Sequence, residues 1–523
     1  MSPLEEEIAA IWRTVLGLGS VGLEDNFFDL GGHSLRAAEV IFQLGERIGT
    51  PLPIATLFRA PTITALATEV EAARARGATG AAPAGQPADL GADLATEVEL
   101  DPEIRVAEPV APAAARRPEP RAVLLTGATG FLGAFLLAEL MERTGARVYC
   151  VVRATDAPAA TARVRAALER FGRWDDAYAP RIVGLPGELG QPLLGLGAST
   201  FATLAGKVDL IIHNGASVSM LAPYASLRDA NVGGTVEVLR LSARGGGIPV
   251  HHVSSAGTVL AARGNPPTIT EDLRVDAEAL VPGGYTLTKW VAERLAERAR
   301  QRGLPVTVYR PGRVGGDSRT GATTTDDVLW SYLRAVVDTG AIPDGGALDE
   351  LELGIVPVDY VAGALVELAR TAPADGRVYH LTNPDPTPLG PMLARMRAAG
   401  YVFAPVPEDE WAARLRAAAG GSTSVGVAAA LERLYGATHD TDSRDTGASE
   451  GDLDVTYRFD DTNTRAALAG SGIACPPVDD ALLDRYLRFA VSSGFLPPAD
   501  SPASPAPTPV PSTASRSLPP AGR

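Results

Sequence analysis

Cysteine and lysine are the residue types that this 523-residue chain nearly lacks. Its two cysteines, Cys150 and Cys475, offer neither a disulfide framework nor a metal-type cluster, which indicates a reducing, cytoplasmic location and no metal. No apolar run is long enough to cross a bilayer, and the first residues lack the basic and apolar regions of a secretory signal. The sequence therefore predicts a protein that is neither secreted nor embedded in a membrane.

An excess of basic residues is also missing. The formal net charge of −15 argues against nucleic acid as a general partner, because phosphate binding requires basic patches. Lysine occurs only as Lys207 and Lys289, so arginine is the default cation of this chain. A retained lysine is then a candidate for a task that arginine cannot perform; a biased genome with two surviving lysines is the alternative.

The patterning along the chain divides it into several regions. Residues 1–77 carry apolar side chains at helical spacing and predict a small all-α, four-helix domain, with one helix starting at Ser34 and another near Thr62. Residues 78–88 have the composition of a flexible linker, and residues 497–523, rich in Pro, Ser and Ala, predict a disordered tail.

Residues 89–496 are predicted to form a larger α/β domain. Short apolar runs alternate with helical stretches, which predicts a Rossmann-type, doubly wound parallel sheet over about 119–315 and a smaller, mainly helical substrate lobe after 315. The candidate strands are residues 122–125, 147–152, 181–185, 208–213, 250–254, 306–310 and 378–381.

Ser34 is at the expected start of a helix. It directly follows Gly31-Gly32-His33, and these residues follow Asp25-Asn26-Phe27-Phe28-Asp29-Leu30. A serine in this place is also a favoured helix N-cap, which is the structural alternative. The whole stretch over residues 1–77 resembles the peptidyl carrier domain of nonribosomal peptide synthetases. The resemblance implies that a phosphopantetheinyl transferase attaches 4′-phosphopantetheine to Ser34, and that adenylation, condensation or other loading enzymes, in trans or on a longer synthetase, acylate its thiol.

A glycine-rich stretch, Thr126-Gly127-Ala128-Thr129-Gly130-Phe131-Leu132-Gly133, follows the first candidate strand and opens a helix. Glycines at these positions permit a tight turn, close approach to a pyrophosphate and close packing of helix on strand, so the stretch predicts a dinucleotide site. Arg153 ends the second strand, where an arginine favours the 2′-phosphate of NADPH over NADH. Arg163 can assist it or be a plain surface arginine, and Glu188 is placed beside the adenine.

Tyr285 and Lys289 stand one helical turn apart and share a helix face. The usual pKa of a phenol is about 10, and a nearby ammonium is expected to lower it. Ser255, after the strand that ends in Val253-Ser254, can bind the same substrate oxygen as Tyr285, with Ser254 as the neighbour with which it can be confused. The predicted catalytic set is Ser255, Tyr285 and Lys289, and the last two also contact the cofactor.

This assembly resembles the extended short-chain dehydrogenase/reductase family over roughly 120–390, and within it the thioester reductase domains. The resemblance rests on the stretches 212–216, 231–235 and 310–318, and it implies NADPH contacts at Asn214, Ala216 and Pro311 beside the glycine-rich stretch. It also implies release of a carrier-bound chain as an aldehyde or, after a second reduction, an alcohol.

Two alternatives stay open at this point. One is a family member, such as an epimerase, that acts on a free small molecule, and the other is a non-reducing docking or cyclising protein. The fused carrier argues against the first, and the joint presence of Tyr285 and Lys289 argues against the second. The sequence does not identify the acyl group, and the chain is expected to be monomeric.

Overall fold

The computed structural model describes residues 2–28, 30–32, 34–48, 52, 55–77, 94, 96–106, 119–219, 222–260, 262, 264–280, 283–325, 327–344, 352–371, 376–418 and 457–499. The predicted linker, 78–88, and most of the predicted tail therefore lie outside the described residues. None of the described helices combines the length and the apolar character that a membrane span requires.

The N-terminal region is all-α, as predicted. It comprises helices α1 (Pro3–Leu16), α2 (Ser34–Ile48), α3 (Ala55–Arg59) and α4 (Ile63–Gly77). A capping box starts α1, since the Ser2 side chain accepts from the N–H of Glu5 while the Glu5 side chain accepts from the N–H of Ser2. The fully buried rings of Trp12 and Phe27 meet edge to face, with centroids 4.9 Å apart, and anchor the small core.

The larger domain is built on a seven-stranded, fully parallel sheet. The strands of this domain are β1 (Ala122–Thr126), β2 (Arg147–Val152), β3 (Ile182–Pro186), β4 (Leu210–His213), β5 (Val250–Val253), β6 (Thr268–Ile269), β7 (Val306–Pro311), β8 (Arg313–Gly315), β9 (Ala341–Pro343), β10 (Ile355–Pro357), β11 (Val378–Leu381), β12 (Ala404–Val406) and β13 (Arg458–Phe459). The order in the large sheet is β11-β7-β5-β4-β1-β2-β3. All seven strands predicted from the sequence form this sheet, so the doubly wound prediction is confirmed.

Helices cover both faces of the sheet. They are α5 (Phe131–Arg143), α6 (Ala157–Arg170), α7 (Gly197–Lys207), α8 (Tyr224–Arg228), α9 (Gly234–Arg244), α10 (Gly257–Leu260), α11 (Gly284–Gln301), α12 (Val328–Thr339), α13 (Val358–Thr371), α14 (Leu389–Ala398), α15 (Glu408–Ala418), α16 (Thr462–Leu468) and α17 (Asp480–Ser492). Helices α5, α6 and α13 share one apolar core with the sheet, and α7, α9 and α11 share the other. Because both faces are covered, strands such as β4 are buried along their whole length.

The described residues between Leu94 and Val106, here called the N-terminal strap, belong to the second of these cores. Leu94, Leu100 and Ile104 are buried there, beside residues of α7 and α9. The Arg302 guanidinium donates to the carbonyls of Leu100 (2.9 Å) and Asp101 (2.6 Å), which fixes the backbone of the strap against the end of α11.

Residues after 315 form the mainly helical lobe and also complete the sheet. Helices α12, α14 and α17 enclose a separate apolar core, whereas α13 and β11 join the core of the large sheet. Residue 315 is thus no boundary in the fold, because the last strand and one covering helix come after it. At the C-terminal side, the Pro497 carbonyl accepts a hydrogen bond from the Tyr401 hydroxyl (2.6 Å), so the described residues 497–499 extend the lobe.

Candidate active site at the carboxyl edge of the sheet

The chain turns sharply before the carrier helix. Gly31 has φ +94°, a left-handed conformation that favours glycine. A Cβ on Gly32 would overlap the Phe27 ring, so this position too is suited to glycine. These two residues lead into α2, whose first residue is Ser34. The predicted attachment residue therefore starts a helix, as expected, while Asp29 and His33 lie outside the described residues.

The glycine-rich loop forms a cradle at the start of α5. Gly127 has φ +72° and accepts a hydrogen bond from the N–H of Gly130 (3.0 Å). A Cβ on Gly133 would overlap the Gly127 carbonyl oxygen, so only glycine lets the helix approach the loop this closely. Gly130 is the N-cap of α5 and no side chain caps this helix. The N–H groups of the first turn, which include Phe131 and Leu132, are therefore available to an anion such as a pyrophosphate.

The Thr126 side chain connects the glycine-rich loop to β4 and the loop after it. Its buried hydroxyl accepts from the N–H of Gly215 (2.8 Å) and bonds Nδ1 of His213 (2.8 Å). His213 Nε2 in turn contacts the Thr235 hydroxyl (3.1 Å), whose hydrogen goes to the Asn231 carbonyl (2.7 Å). These partners assign the ring proton to Nε2, and burial lowers the pKa of His213 well below its usual value. A neutral histidine at the end of β4 thus links the end of β1 to α9.

The other residues predicted for the cofactor lie at the ends of neighbouring strands. The Asn214 amide donates to the Gly127 carbonyl (3.4 Å), so the loop after β4 touches the glycine-rich loop. Ala216 is half-buried on the same loop, and Thr129 is half-buried in the cradle itself. Pro311 is the last residue of β7 and accepts from the N–H of Ala256 (2.9 Å). Every one of these positions falls at the carboxyl edge, where such sheets bind ligands.

Two arginines meet at the end of β2. Arg153 follows Val152 directly and is exposed, and the Arg163 guanidinium on α6 donates to the Arg153 carbonyl. Exposed Glu188 comes two residues after β3, and its N–H is bonded to the Leu194 carbonyl (2.8 Å). The structure thus brings Arg163 to Arg153, which the sequence could only suggest.

Tyr285 and Lys289 occupy the first turns of α11. The Lys289 ammonium is buried and donates to the Val253 carbonyl at the end of β5 (2.9 Å), and Tyr285 is half-buried. A Cβ on Gly284 would overlap the Ala222 carbonyl oxygen, so this glycine allows the helix start to lie close to the loop between β4 and α8. The predicted pair is therefore anchored at the same edge as the nucleotide loop.

Burial sets the charge state of this pair. It raises the pKa of Tyr285 to about 12 and lowers the pKa of Lys289 to about 8, a fall that the Glu293 carboxylate opposes. The sequence predicts a lowered pKa for Tyr285, and the structure gives a raised one, because burial desolvates the phenolate. Tyr285 consequently keeps its proton at neutral pH and can act as a proton donor.

The structure separates the two candidate serines. Ser254 is buried and donates to Oε1 of Glu293 (2.5 Å), so its hydroxyl hydrogen is committed inside the protein. Ser255 is half-buried, and its Oγ accepts from the N–H of Gly257 (3.1 Å), which leaves its own hydrogen for a substrate oxygen. This geometry favours Ser255 over Ser254.

Asn231 is a site residue that the sequence motifs did not assign. Its amide donates to the Ser217 carbonyl (3.0 Å) and the Thr288 hydroxyl (3.0 Å), and accepts from the N–H of Ser217 (2.7 Å). Thr288 passes its hydrogen to the Tyr285 carbonyl (2.7 Å). Asn231 therefore joins the loop after β4 to the first turn of α11. Its stretch, 231–235, supports the family resemblance, but sequence spacing does not predict these contacts.

Glu293 and Arg310 form a second feature missed from the sequence. Both are nearly fully buried, and Arg310 Nη2 lies 2.8 Å from Glu293 Oε2. Removing one member of such a pair costs about 3–5 kcal/mol, because the other charge is left uncompensated. The sequence signal for Glu293 is only its place one helical turn after Lys289. Its pairing with Arg310 could not be predicted, because Arg310 is on strand β7, a different element.

Comparisons with known proteins agree with this geometry. Residues 125–365 match the NAD-binding family described as male sterility protein, and residues 6–70 match the phosphopantetheine attachment site family. The terminal R domain of the myxalamid PKS-NRPS pathway is 40% identical, with a TM-score of 0.68, and the match covers 78% of this chain and all of that one. The chain belongs to the reductase (R) domain family of nonribosomal peptide synthetases.

Two further relatives match nearly the whole chain, carrier region included. A thiolation-reductase di-domain from an archaeal non-ribosomal peptide synthetase has a TM-score of 0.62 over 95% of this chain and 98% of its own, and at 21% identity it shows the fold alone. The isonitrile lipopeptide synthase of Streptomyces coeruleorubidus is 38% identical over 499 residues, 95% of this chain. The chain spans only 33% of that relative's length.

Proposed function

We propose that this chain releases an acyl, aminoacyl or peptidyl group from its own carrier domain by NADPH-dependent reduction of the thioester to an aldehyde. The observation that carries this proposal is that one chain combines a carrier match that contains Ser34 with a Tyr285–Lys289 pair at the same edge of the sheet as the glycine-rich loop. The R-domain relatives, which are parts of synthetases, support it.

The cradle fits a dinucleotide. Gly127, Gly130 and Gly133 leave room for a pyrophosphate at the uncapped start of α5, and Arg153 with Arg163 would hold the 2′-phosphate. The remaining contacts would come from Thr126, Thr129, Phe131, Leu132, Glu188, Asn214, Ala216, Tyr285, Lys289 and Pro311. When bound, NADPH supplies the hydride that reduces the thioester carbonyl carbon.

The protein's own groups handle charge and protons. The Ser255 and Tyr285 hydroxyls donate hydrogen bonds to the carbonyl oxygen and stabilise the negative charge that develops on it. Tyr285, which its raised pKa of about 12 keeps protonated at neutral pH, then transfers its proton to that oxygen. The carbon–sulfur bond of the former thioester then breaks, the proton passes to the departing sulfur, and the aldehyde and the free thiol are released. The Lys289 ammonium stabilises the phenolate left behind and would hold the nicotinamide ribose.

The carrier requires partner enzymes. A phosphopantetheinyl transferase must attach 4′-phosphopantetheine to Ser34, and an adenylation, condensation or other loading enzyme must acylate the thiol. These enzymes are either separate proteins that act in trans or domains of a longer synthetase that includes this chain. We further propose that the chain works as a monomer in the cytoplasm.

The test uses the protein whose Ser34 carries 4′-phosphopantetheine, here called the arm, with an octanoyl or alanyl group on its thiol. NADPH oxidation and product formation are measured in the same reaction. We expect aldehyde formation by the unchanged protein and a kcat about 10²- to 10⁴-fold lower in Tyr285→Phe, the usual contribution of a general acid. NADPH affinity should stay the same, since the ring remains. Two NADPH per product, with alcohol released, would instead establish a second reduction.

Two results would contradict the proposal. Equal turnover by Tyr285→Phe would remove Tyr285 from the mechanism. NADPH binding without oxidation across both loaded groups would favour a docking or cyclising protein instead.

A further inference from the structure

Glu293 lies one turn beyond Lys289 on α11 and points into the protein, where it is only 4% exposed. Its Oε1 accepts from the hydroxyls of Ser254 (2.5 Å) and Thr258 (3.0 Å). Both carboxylate oxygens also accept from Arg310, at 2.8 to 3.3 Å. A buried carboxylate with this many donors is held in one position.

The two hydroxyls flank Ser255 in the sequence. Ser254 precedes it, and the Thr258 hydroxyl also lies 2.7 Å from the Ser255 carbonyl, so its single hydrogen is shared between that carbonyl and Glu293. Glu293 therefore reaches the loop on both sides of Ser255. The helix that carries Glu293 is the one that carries Tyr285 and Lys289.

Arg310 fixes the far side of Glu293. Its guanidinium, near the end of β7, also donates to the carbonyls of Leu273 (3.3 Å) and Glu271 (3.4 Å). The carboxylate is thus tied to the sheet as well as to the serine loop. The contacts of Glu293 with Ser254, Thr258 and Arg310 therefore hold β7, α11 and the Ser255 loop together.

We propose that Glu293 is a positioning residue for the reduction, which sets the placement of Ser255 relative to Tyr285 and Lys289 by holding residues 254–258 onto α11. This inference rests on the proposed function, because Glu293 would act through Ser255, Tyr285 and Lys289, the residues to which that function assigns catalysis. Glu293, which is only 4% exposed, is assigned no direct contact with substrate or cofactor. A misplacement of about 1 Å in such a set is enough to lower turnover by about 10²-fold.

The Glu293 charge has a second consequence, for Lys289. Burial lowers the pKa of Lys289 to about 8, and the Glu293 carboxylate opposes that fall. His213 and His252, on the strands below Lys289, are kept neutral because burial lowers their pKa values. Tyr285 is protonated at neutral pH. Without Glu293, the pKa of Lys289 falls further, and the protonated lysine is lost at a lower pH.

The test compares Glu293→Gln with the unchanged full-length chain, both carrying the arm and an octanoyl thioester. We expect kcat to fall about 10- to 100-fold, with the KM for NADPH within about 3-fold of its normal value. The alkaline fall in kcat should begin at a lower pH. The matched control is Glu297→Gln, one turn further on α11, where the carboxylate pairs with Arg274 (2.6 Å) and Arg294 (3.0 Å). This control should leave both kcat and the pH profile unchanged.

A double variant separates positioning from folding. Glu293→Met with Arg310→Met replaces the buried pair by apolar side chains, a change that buried pairs often tolerate without loss of stability. A normal unfolding midpoint with a low kcat supports the proposal. Wild-type kcat in either the single or the double variant overturns it, and so does unfolding of both, which would assign the pair to stability alone.

The failure of this inference differs from failure of the proposed function. If the unchanged protein turns over and Glu293→Gln equals it, only the role of Glu293 is wrong. If the unchanged protein oxidises no NADPH with either loaded group, the reductase function fails and the role of Glu293 fails with it.

Discussion

At the scale of the residue, the site depends on which side chains face the cleft and which are committed inside the protein. Ser254 and Ser255 are neighbours of the same type, and only the buried contact with Glu293 separates them. The Tyr285 pKa likewise depends on burial that the sequence does not reveal. Residue types and their spacing could be predicted, because the motif is local, whereas charge state and hydrogen-bond direction require the packed surroundings.

Arg153 provides a test of cofactor choice. We expect Arg153→Glu to weaken NADPH binding about 10- to 100-fold and NADH binding by less than about 3-fold, since a lost charged hydrogen bond to the 2′-phosphate is worth about 1.5–3 kcal/mol. The control is Arg165→Glu on α6, whose guanidinium pairs with Glu169 at 2.8 Å. Titration of the purified chain with both cofactors measures the two affinities. Equal losses for NADPH and NADH would mean that Arg153 does not bind the 2′-phosphate.

At the scale of the element, the site is assembled from strand ends and helix starts. All seven strands of the large sheet could be predicted because fully buried parallel strands are continuous apolar runs. The contacts of Glu293 with Ser254 and Arg310 could not, because each joins positions on different elements.

The start of α11 offers a test at this scale. In Gly284→Ala the added Cβ would overlap the Ala222 carbonyl, so the helix start must shift and carry Tyr285 with it. We expect a loss of about 1–3 kcal/mol in the free energy of unfolding and a lower kcat. Gly283→Ala is the control, because its Cβ would meet only the Thr286 side chain, at 3.9 Å and beyond. Thermal unfolding and turnover are measured together, and equal behaviour of the two variants would refute the close approach.

At the scale of the whole molecule, one chain combines a carrier match with a reductase. The order of the two regions is readable from sequence because each has its own motif, Ser34 in one and the glycine-rich loop in the other. The identity of the acyl group is not, since the lobe after 315 has no comparable motif. A tethered substrate reaches its site at a high effective concentration, which a free substrate does not.

Ser34→Ala tests this combination. We expect the variant to gain no phosphopantetheine mass when treated with a transferase, yet to reduce a free pantetheine thioester at an unchanged rate. Ser20→Ala, an exposed serine in the loop before α2, is the control and should still gain the arm. Intact-protein mass spectrometry and NADPH oxidation give the two readouts. Arm attachment in Ser34→Ala would show that another residue carries it.

The N-terminal strap has a consequence for how far the carrier can travel. Helix α4 ends at Gly77 and the strap begins at Leu94, and the chain between them, here called the leash, is short enough to span at most about 55 Å at full extension. If the strap came loose as far as Glu119, the leash would lengthen to roughly 140 Å. The volume searched by the thioester would grow and its local concentration would fall, approximately as the −3/2 power of the leash length. Arg228, Arg240 and Arg302 hold the strap through Glu97, Asp101 and the Leu100 carbonyl. Substitutions at these arginines are therefore expected to lower the rate at which the substrate arrives and to leave the chemical step unchanged.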